Sequence, residues 1–242
     1  MTWRYPRYVA HRGGGTLAPE NTLGAMRMGA SKGFKGVEFD VMLTRDDTAI
    51  LLHDETLDRT TNGHGHISEY GDSHLWALDA GIRHHHAFAG EPIPRFAQII
   101  ERCRALDLAA NVEIKPVAGR ERITGRYVAR LAAEGWGELH PPPLLSSFSE
   151  EALRAAAEMA PELPRGWLTD TIPEDWKTRV HALGVIAVHT NCKHLTEAQA
   201  KTIKDFGLRL VVYTENDPGH ARLLRQWGVD TIITDRPDLV RA

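Results

Sequence analysis

Short apolar runs alternate with helix-patterned segments along almost the whole chain, and that rhythm is the feature that most constrains the fold. Strand-like runs fall at Tyr8–His11, Gly36–Leu43, Ala109–Lys115, Leu144–Phe148, Arg165–Leu168, Val185–His189, Arg209–Thr214 and Asp230–Thr234. Between them lie segments with apolar residues at helical spacing, such as Thr22–Lys32 with Leu23, Met26 and Ala30 on one side. Others are Arg95–Ala105, Arg120–Ala133, Glu150–Met159, Glu174–Ala182 and Thr196–Phe206, the last opened by a Thr196-Glu197-Ala198-Gln199 capping box. A further helix starts at Asp217-Pro218, an N-cap followed by proline at the first helical position. Strands that each hand over to a helix must run parallel. Eight of them in 242 residues predict an α/β fold, a TIM (β/α)8 barrel occupying residues 1–242 as one domain. An open doubly wound sheet is the competitor. Gly13-Gly14-Gly15 follows the first strand but lacks the Gly-x-Gly-x-x-Gly spacing of such sheets.

The rhythm lapses once. After the second strand, Thr44–Thr48 reads as a turn and Ala49–Leu52 as extended chain leading into His53; from about residue 55 to 94 the chain is then rich in Gly, His and Asp with little periodicity. This predicts a small insertion after the second strand, too short and too polar for a core of its own. His84-His85-His86, with His64 and His66 nearby, lacks the spacing of helical metal ligands and reads as exposed loop.

Composition narrows the function. The net charge of −3 offers no basic field for nucleic acid, so no nucleic-acid partner is expected. Cys103 and Cys192 are far apart and read as small buried residues rather than a disulfide or zinc ribbon. Met1–Tyr8 lacks the apolar core of a secretory signal, and no apolar run is long enough to span a bilayer. A cytoplasmic location without a stable membrane anchor is the expectation; oligomeric state is not legible.

A barrel places its chemistry at the C-terminal ends of its strands. Polar groups stand there repeatedly: His11, Glu38 and Asp40, Glu113 and Lys115, Ser147 next to the aromatic Phe148, His189 and Asn191, Tyr213 and Glu215. Glu38 and Asp40 are two apart on a strand and share a face. Converging with Glu113, they repel unless a cation lies between them. Three carboxylates without cysteine suit a hard cation, Mg2+ or Ca2+. A buried ion network with Arg12 and Lys115 is the alternative. His11 and His53 titrate near neutrality and are the acid/base candidates. Arg12 offers a planar fork for a phosphate and Lys115 a point charge. Glu20 and Asn21 orient Arg12 or the metal shell, or else belong to the turn that caps the first helix.

The ordered run His11-Arg12, Pro19-Glu20-Asn21-Thr22, Glu38-Phe39-Asp40 and His53-Asp54 resembles the signature of the glycerophosphodiester phosphodiesterase family. Val112-Glu113-Ile114-Lys115, Ser146-Ser147-Phe148, Val212-Tyr213-Thr214-Glu215-Asn216 and Thr234-Asp235-Arg236-Pro237 extend the resemblance over nearly the whole chain. The resemblance implies a TIM barrel that hydrolyses glycerophosphodiesters to sn-glycerol 3-phosphate and an alcohol, a small-molecule reaction needing a divalent metal. It implies that Glu38, Asp40 and Glu113 bind the metal and that His11 and His53 are the acid/base pair. Arg12, Lys115, Phe148 and Tyr213 then contact substrate. The chain departs from the pattern at Tyr213, where the family often has Trp, and at Arg45-Asp46-Asp47, where it often has Lys-Asp-Gly. Two other readings stand beside this one. The first is a phospholipase D-like enzyme acting on other lipid phosphodiesters. The second is a barrel that binds metal without catalysis. The sequence does not decide which histidine is the acid, nor whether water or the glycerol 2-hydroxyl attacks.

Overall fold

The computed structural model describes residues 3–137 and 141–240. Residues 1–2, 138–140 and 241–242, part of the span expected to form the barrel, lie outside that description. The strands are β1 (Tyr8–Ala10), β2 (Gly36–Leu43), β3 (Ala49–Leu51), β4 (Ala109–Ile114), β5 (Leu144–Ser147), β6 (Arg165–Thr169), β7 (Ala187–Asn191), β8 (Arg209–Tyr213) and β9 (Thr231–Thr234). The helices are α1 (Leu23–Ser31), α2 (Asp72–Leu75), α3 (Phe96–Ala105), α4 (Glu121–Trp136), α5 (Glu150–Met159), α6 (Trp176–Leu183), α7 (Glu197–Asp205) and α8 (Pro218–Gln226).

Eight of the strands are parallel neighbours in the order β1-β9-β8-β7-β6-β5-β4-β2, and β1 pairs with β2 to close the ring. The expected TIM barrel is therefore present. The ninth strand, β3, folds back antiparallel on β2 through the turn at Arg45-Asp46-Asp47. Asp47 sits there at φ +64, the left-handed region, at the place where the resemblance anticipates glycine.

Residue alternation assigns each strand two faces. On β2, Val37, Phe39 and Val41 pack outward with the helices, while Glu38 and Asp40 face the barrel interior. Outward residues build two apolar belts. One lies under α1, α3, α4 and α5 around Phe39, Phe96 and Trp136; the other lies under α6, α7 and α8 around Trp167, Trp176 and Leu224. The caps read from sequence are present: Thr22, Thr196 and Asp217 each accept a backbone N–H in the first turn of the following helix. Boundaries differ by a few residues. The strand expected at Val185–His189 runs instead over Ala187–Asn191, because Gly184 closes α6 in the left-handed conformation and the chain re-enters the sheet later.

The insertion is less polar than its composition suggests. Leu57, Ile67, Leu75, Ala80 and Ile93 are buried together with Met42, Ile50 and Leu52, so it shares a small core with the β2–β3 hairpin. His84, His85 and His86 are exposed, as expected.

The barrel floor is apolar around Val9, Val211 and Ile233, with Trp3 packed against it and held by a 3.0 Å bond from its indole N–H to Thr231 Oγ1. An imidazole is embedded there. His189 is fully buried, and neither ring nitrogen has a hydrogen-bond partner among the described residues. The ring lies over Gly166, where a Cβ would come within 2.3 Å of Nε2. Burial pushes the His189 pKa down to about 3. An unfolded chain protonates this histidine below about pH 6.5 while the folded one does not, so the unfolded state binds the extra proton. Stability from this site is complete above about pH 6.5 and declines as pH falls toward 3. Urea unfolding of wild type and His189→Leu at pH 7.5 and pH 5 should show a steeper acid loss for wild type. Equal slopes would contradict a buried neutral imidazole.

Candidate active site

The parallel register of β2 and β4 sets Asp40 beside Glu113 and Glu38 beside Asn111. Glu38, Asp40 and Glu113 therefore converge, each offering a carboxylate oxygen within 4.8 Å of the others. Burial, reinforced by the charge of Asp40, pushes Glu38 up to about 7 and Glu113 up to about 8. Oxygen donors at this spacing, disfavoured as free anions, fit a hard divalent cation. The alternative, a closed ion network, leaves the group under-compensated. Lys115 Nζ stands 3.5 Å from Glu113 and 3.7 Å from Asp40, and Arg12 Nε 3.7 Å from Asp40, beyond direct hydrogen-bond length for all but the first. Arg12 Nε is buried and makes no hydrogen bond among the described residues.

Asn21 locks Asp40 from the other side. Its amide donates to Asp40 Oδ2 at 2.8 Å and its carbonyl accepts from the Asp40 backbone at 3.1 Å. Asn21 and Arg12 both hold positive φ, +60 and +49, joined by a 2.9 Å bond from Asn21 N to the Arg12 carbonyl. Arg12 N also donates to Glu38 at 3.0 Å. Its guanidinium reaches Glu20 at 2.7 Å, and Glu20 is bound in turn by Arg59 at 2.6 Å. Between the two uses open for Glu20 and Asn21, the contacts divide: Glu20 holds Arg12, Asn21 holds Asp40, and Thr22 caps α1.

His11 follows β1 directly, and Asp235 follows β9. Because Ala10 pairs with Thr234, the two meet, with Nδ1 2.6 Å from Asp235 Oδ1. The other nitrogen, Nε2, points to Glu38 at 3.7 Å. Burial works against a charged His11, but the Asp235 hydrogen bond and Glu38 outweigh it and raise its pKa. His53 repeats the arrangement, with Nδ1 2.6 Å from Asp54, which Arg59 holds at 2.6 Å. Burial is the largest influence on His53 and lowers its pKa.

The two histidines, the three carboxylates, Arg12 and Lys115 line one cleft, together with Phe148, Tyr213, Leu168 and Thr214. Phe148 is half exposed and meets Tyr213 edge-on at 6.0 Å. The Tyr213 hydroxyl donates to the Thr169 carbonyl at 3.1 Å, so the polar atom that distinguishes it from Trp is already occupied. Each site residue expected from sequence is in or against this cleft. His189 is the correction to the wider set of strand-end groups: it sits in the middle of β7 at the barrel floor, and Asn191, at the end of β7, turns to Asp170 at 3.0 Å. Asp235 and Arg59 were missed as partners. Closure of an eight-stranded ring puts the last strand beside the first, and that was the available signal for Asp235. Arg59 lies in the aperiodic insertion and carried none.

The sequence profile of the Glycerophosphoryl diester phosphodiesterase family matches residues 11–239. This chain belongs to that family. It is a hydrolase of phosphoric diesters, and its relatives agree along their length. A glycerophosphodiester phosphodiesterase of Caldanaerobacter subterraneus is 32% identical over 231 residues, covering 95% of this chain and 94% of the relative. A phosphodiesterase of Oleispira antarctica, solved in complex with the product sn-glycerol-3-phosphate, superposes with a TM-score of 0.93 at 33% identity, over 96% of this chain and 94% of that one. The glycerophosphodiester phosphodiesterase of Agrobacterium tumefaciens gives 0.79 at 28% identity, over 96% and 97%.

Gly15 holds the His11–Asp235 contact in place. Its φ is +56, a Cβ would meet the Asp235 carbonyl oxygen at 2.1 Å, and the next residue, Thr16, donates its N–H to that same oxygen at 2.8 Å. Gly33 has φ +85 but open space around it. Gly33→Ala should cost about 1–2 kcal/mol from the left-handed backbone alone. Gly15→Ala should cost a further ~1–3 kcal/mol from the clash. Urea unfolding in chelator checks the difference; equal losses would mean the Asp235 loop moves freely.

Proposed function

We propose that this protein hydrolyses glycerophosphodiesters to sn-glycerol 3-phosphate and an alcohol, using a divalent cation, Mg2+ or Ca2+, and the His11/His53 pair. The observation that carries the reading is the convergence in one cleft of two carboxylate-oriented imidazoles, three carboxylates, two of them buried, and two cationic side chains. The product named for the Oleispira antarctica relative is consistent with it.

Glu38, Asp40 and Glu113 would hold the cation. When bound it supplies Lewis-acid stabilisation of the charge that builds on the phosphoryl oxygens. Arg12 and Lys115 supply the remaining positive charge, Arg12 as a fork held from behind by Glu20. Both histidines are pinned through Nδ1, which leaves Nε2 of each for proton transfer. One takes a proton from the attacking oxygen as the new P–O bond forms. The other gives its proton to the departing alkoxide as the old P–O bond breaks. With water attacking, hydrolysis is complete in one displacement. With the glycerol 2-hydroxyl attacking, a cyclic phosphate forms first and water opens it with the roles exchanged. Phe148 and Tyr213 give the glycerol end an aromatic wall. A small, soluble diester is the substrate class this cleft suits. Among the described residues no helix is long and apolar enough to cross a membrane.

Two experiments test the proposal. Release of glycerol 3-phosphate from glycerophosphocholine should vanish on chelation and return with Mg2+ or Ca2+; full activity in chelator would remove the cation from the account. His11→Ala and His53→Ala should each lower kcat about 10²–10⁴-fold and reduce a two-limbed pH profile to one limb. Wild-type rates in both variants would dismiss the acid/base assignment.

A further inference from the structure

A second cluster of ligand-type side chains lies outside the cleft, at the same end of the barrel. Cys192 follows β7, Glu215 follows β8 closely, and His220 stands in the first turn of α8. Their Sγ, carboxylate oxygen and imidazole nitrogen all lie within 4.8 Å of one another. We propose that Cys192, Glu215 and His220 form a binding site for a thiophilic divalent cation, Zn2+ in the first place, separate from the carboxylate site in the cleft.

The donor set supports that choice. Sulfur, imidazole nitrogen and one carboxylate oxygen are the ligands zinc takes, at about 2.3, 2.0–2.1 and 2.0–2.2 Å. In a tetrahedron those bonds put the donors roughly 3.2–3.8 Å apart, so only small rotations separate the present arrangement from a coordinated one. The hard cations suited to the cleft have no preference for sulfur. The charge also balances: one thiolate and one carboxylate neutralise a divalent ion in a site where Cys192 is 3% and Glu215 6% exposed.

The surroundings are built to orient the ligands. Glu215 Oε1 accepts the Asp217 backbone N–H at 2.7 Å, which leaves Oε2 for the cluster. Oε2 now pairs with His220 Nδ1. The His220 ring is steadied edge-on by Trp227 at 6.2 Å. Cys192 directs its thiol at the Thr214 carbonyl, 3.4 Å away, and its own N–H bonds the Tyr213 carbonyl at 2.8 Å. The His220 side chain is 34% exposed and gives an ion its route in from solvent, and three protein ligands leave a fourth position for water. On binding, the Cys192 S–H bond breaks, an S–Zn bond forms and the proton leaves to solvent. The imidazole ligates through Nδ1 as a neutral base with its proton on Nε2. The bound ion would tie the segment after β7 to the one that continues from the end of β8, where Tyr213 and Thr214 form part of the cleft wall.

The test uses Co2+ as a coloured stand-in for Zn2+ on chelator-stripped protein. The expected result is a thiolate-to-cobalt charge-transfer band in the near ultraviolet that Zn2+ abolishes. The band should persist in Glu113→Gln and in Cys103→Ser, disappear in Cys192→Ser, and weaken at least tenfold in apparent affinity in the partly exposed variant His220→Gln. The cleft site has only oxygen donors and cannot produce such a band, so failure here leaves the proposed catalytic cation untouched. No band in wild-type protein, or a band that survives in Cys192→Ser, would overturn the second site.

Discussion

The alignment of β2 with β4 is the constraint on which the rest depends. It sets Asp40 beside Glu113, with Glu38 two residues earlier on the same face, inside a barrel where carboxylates are costly to charge. Much of the surrounding structure answers that cost. Asn21 gives Asp40 two hydrogen bonds, the Arg12 backbone gives Glu38 one, and Arg12 and Lys115 bring positive charge to within 3.7 Å of Asp40 without closing on it. Arg12 and Asn21 accept left-handed backbone conformations to do so, an expense that persists because neighbouring contacts over-determine it. The same arrangement that burdens the fold leaves a place for a divalent ion.

Closing the ring adds the second half of the site. The pairing of Ala10 with Thr234 brings the first and last strands together, so a residue near the end of the chain orients a histidine near its start. His53 is served locally, by the residue that follows it and by Arg59 from the insertion. Arg59 also grips Glu20, which grips Arg12, so the insertion braces the Arg12 side of the cleft as well as covering the hairpin.

Much of this was legible in the sequence because the parallel barrel leaves strong local marks. Strands buried on both faces read as apolar runs, and the interruptions at Glu38, Asp40 and Glu113 stood out for that reason. Caps at Thr22, Thr196 and Asp217 were visible because the side chain that bonds the backbone is adjacent in sequence. Contacts between distant segments were not. Asp235 acquires its role from closure, and Arg59 from the path of an aperiodic insertion. His189 shows the limit of counting polar residues toward strand ends: a two-residue shift of β7 moves it from the mouth of the barrel to the floor, where Gly166 makes room for its ring. The insertion misled by composition, since its few apolar residues are supplemented by Met42, Ile50 and Leu52 from the hairpin.

On the proposed reading, Glu38, Asp40 and Glu113 share a divalent cation. Calorimetric titration of Mg2+ and of Ca2+ into chelator-stripped protein tests it most directly, with the near-isosteric Glu113→Gln as the comparison. The account requires saturable binding of at least one of the two ions by wild-type protein, and its loss or weakening by at least tenfold in the variant. Binding of equal strength in both proteins, or none in either, would mean that Glu38, Asp40 and Glu113 are an ion network with Arg12 and Lys115 and not a metal site.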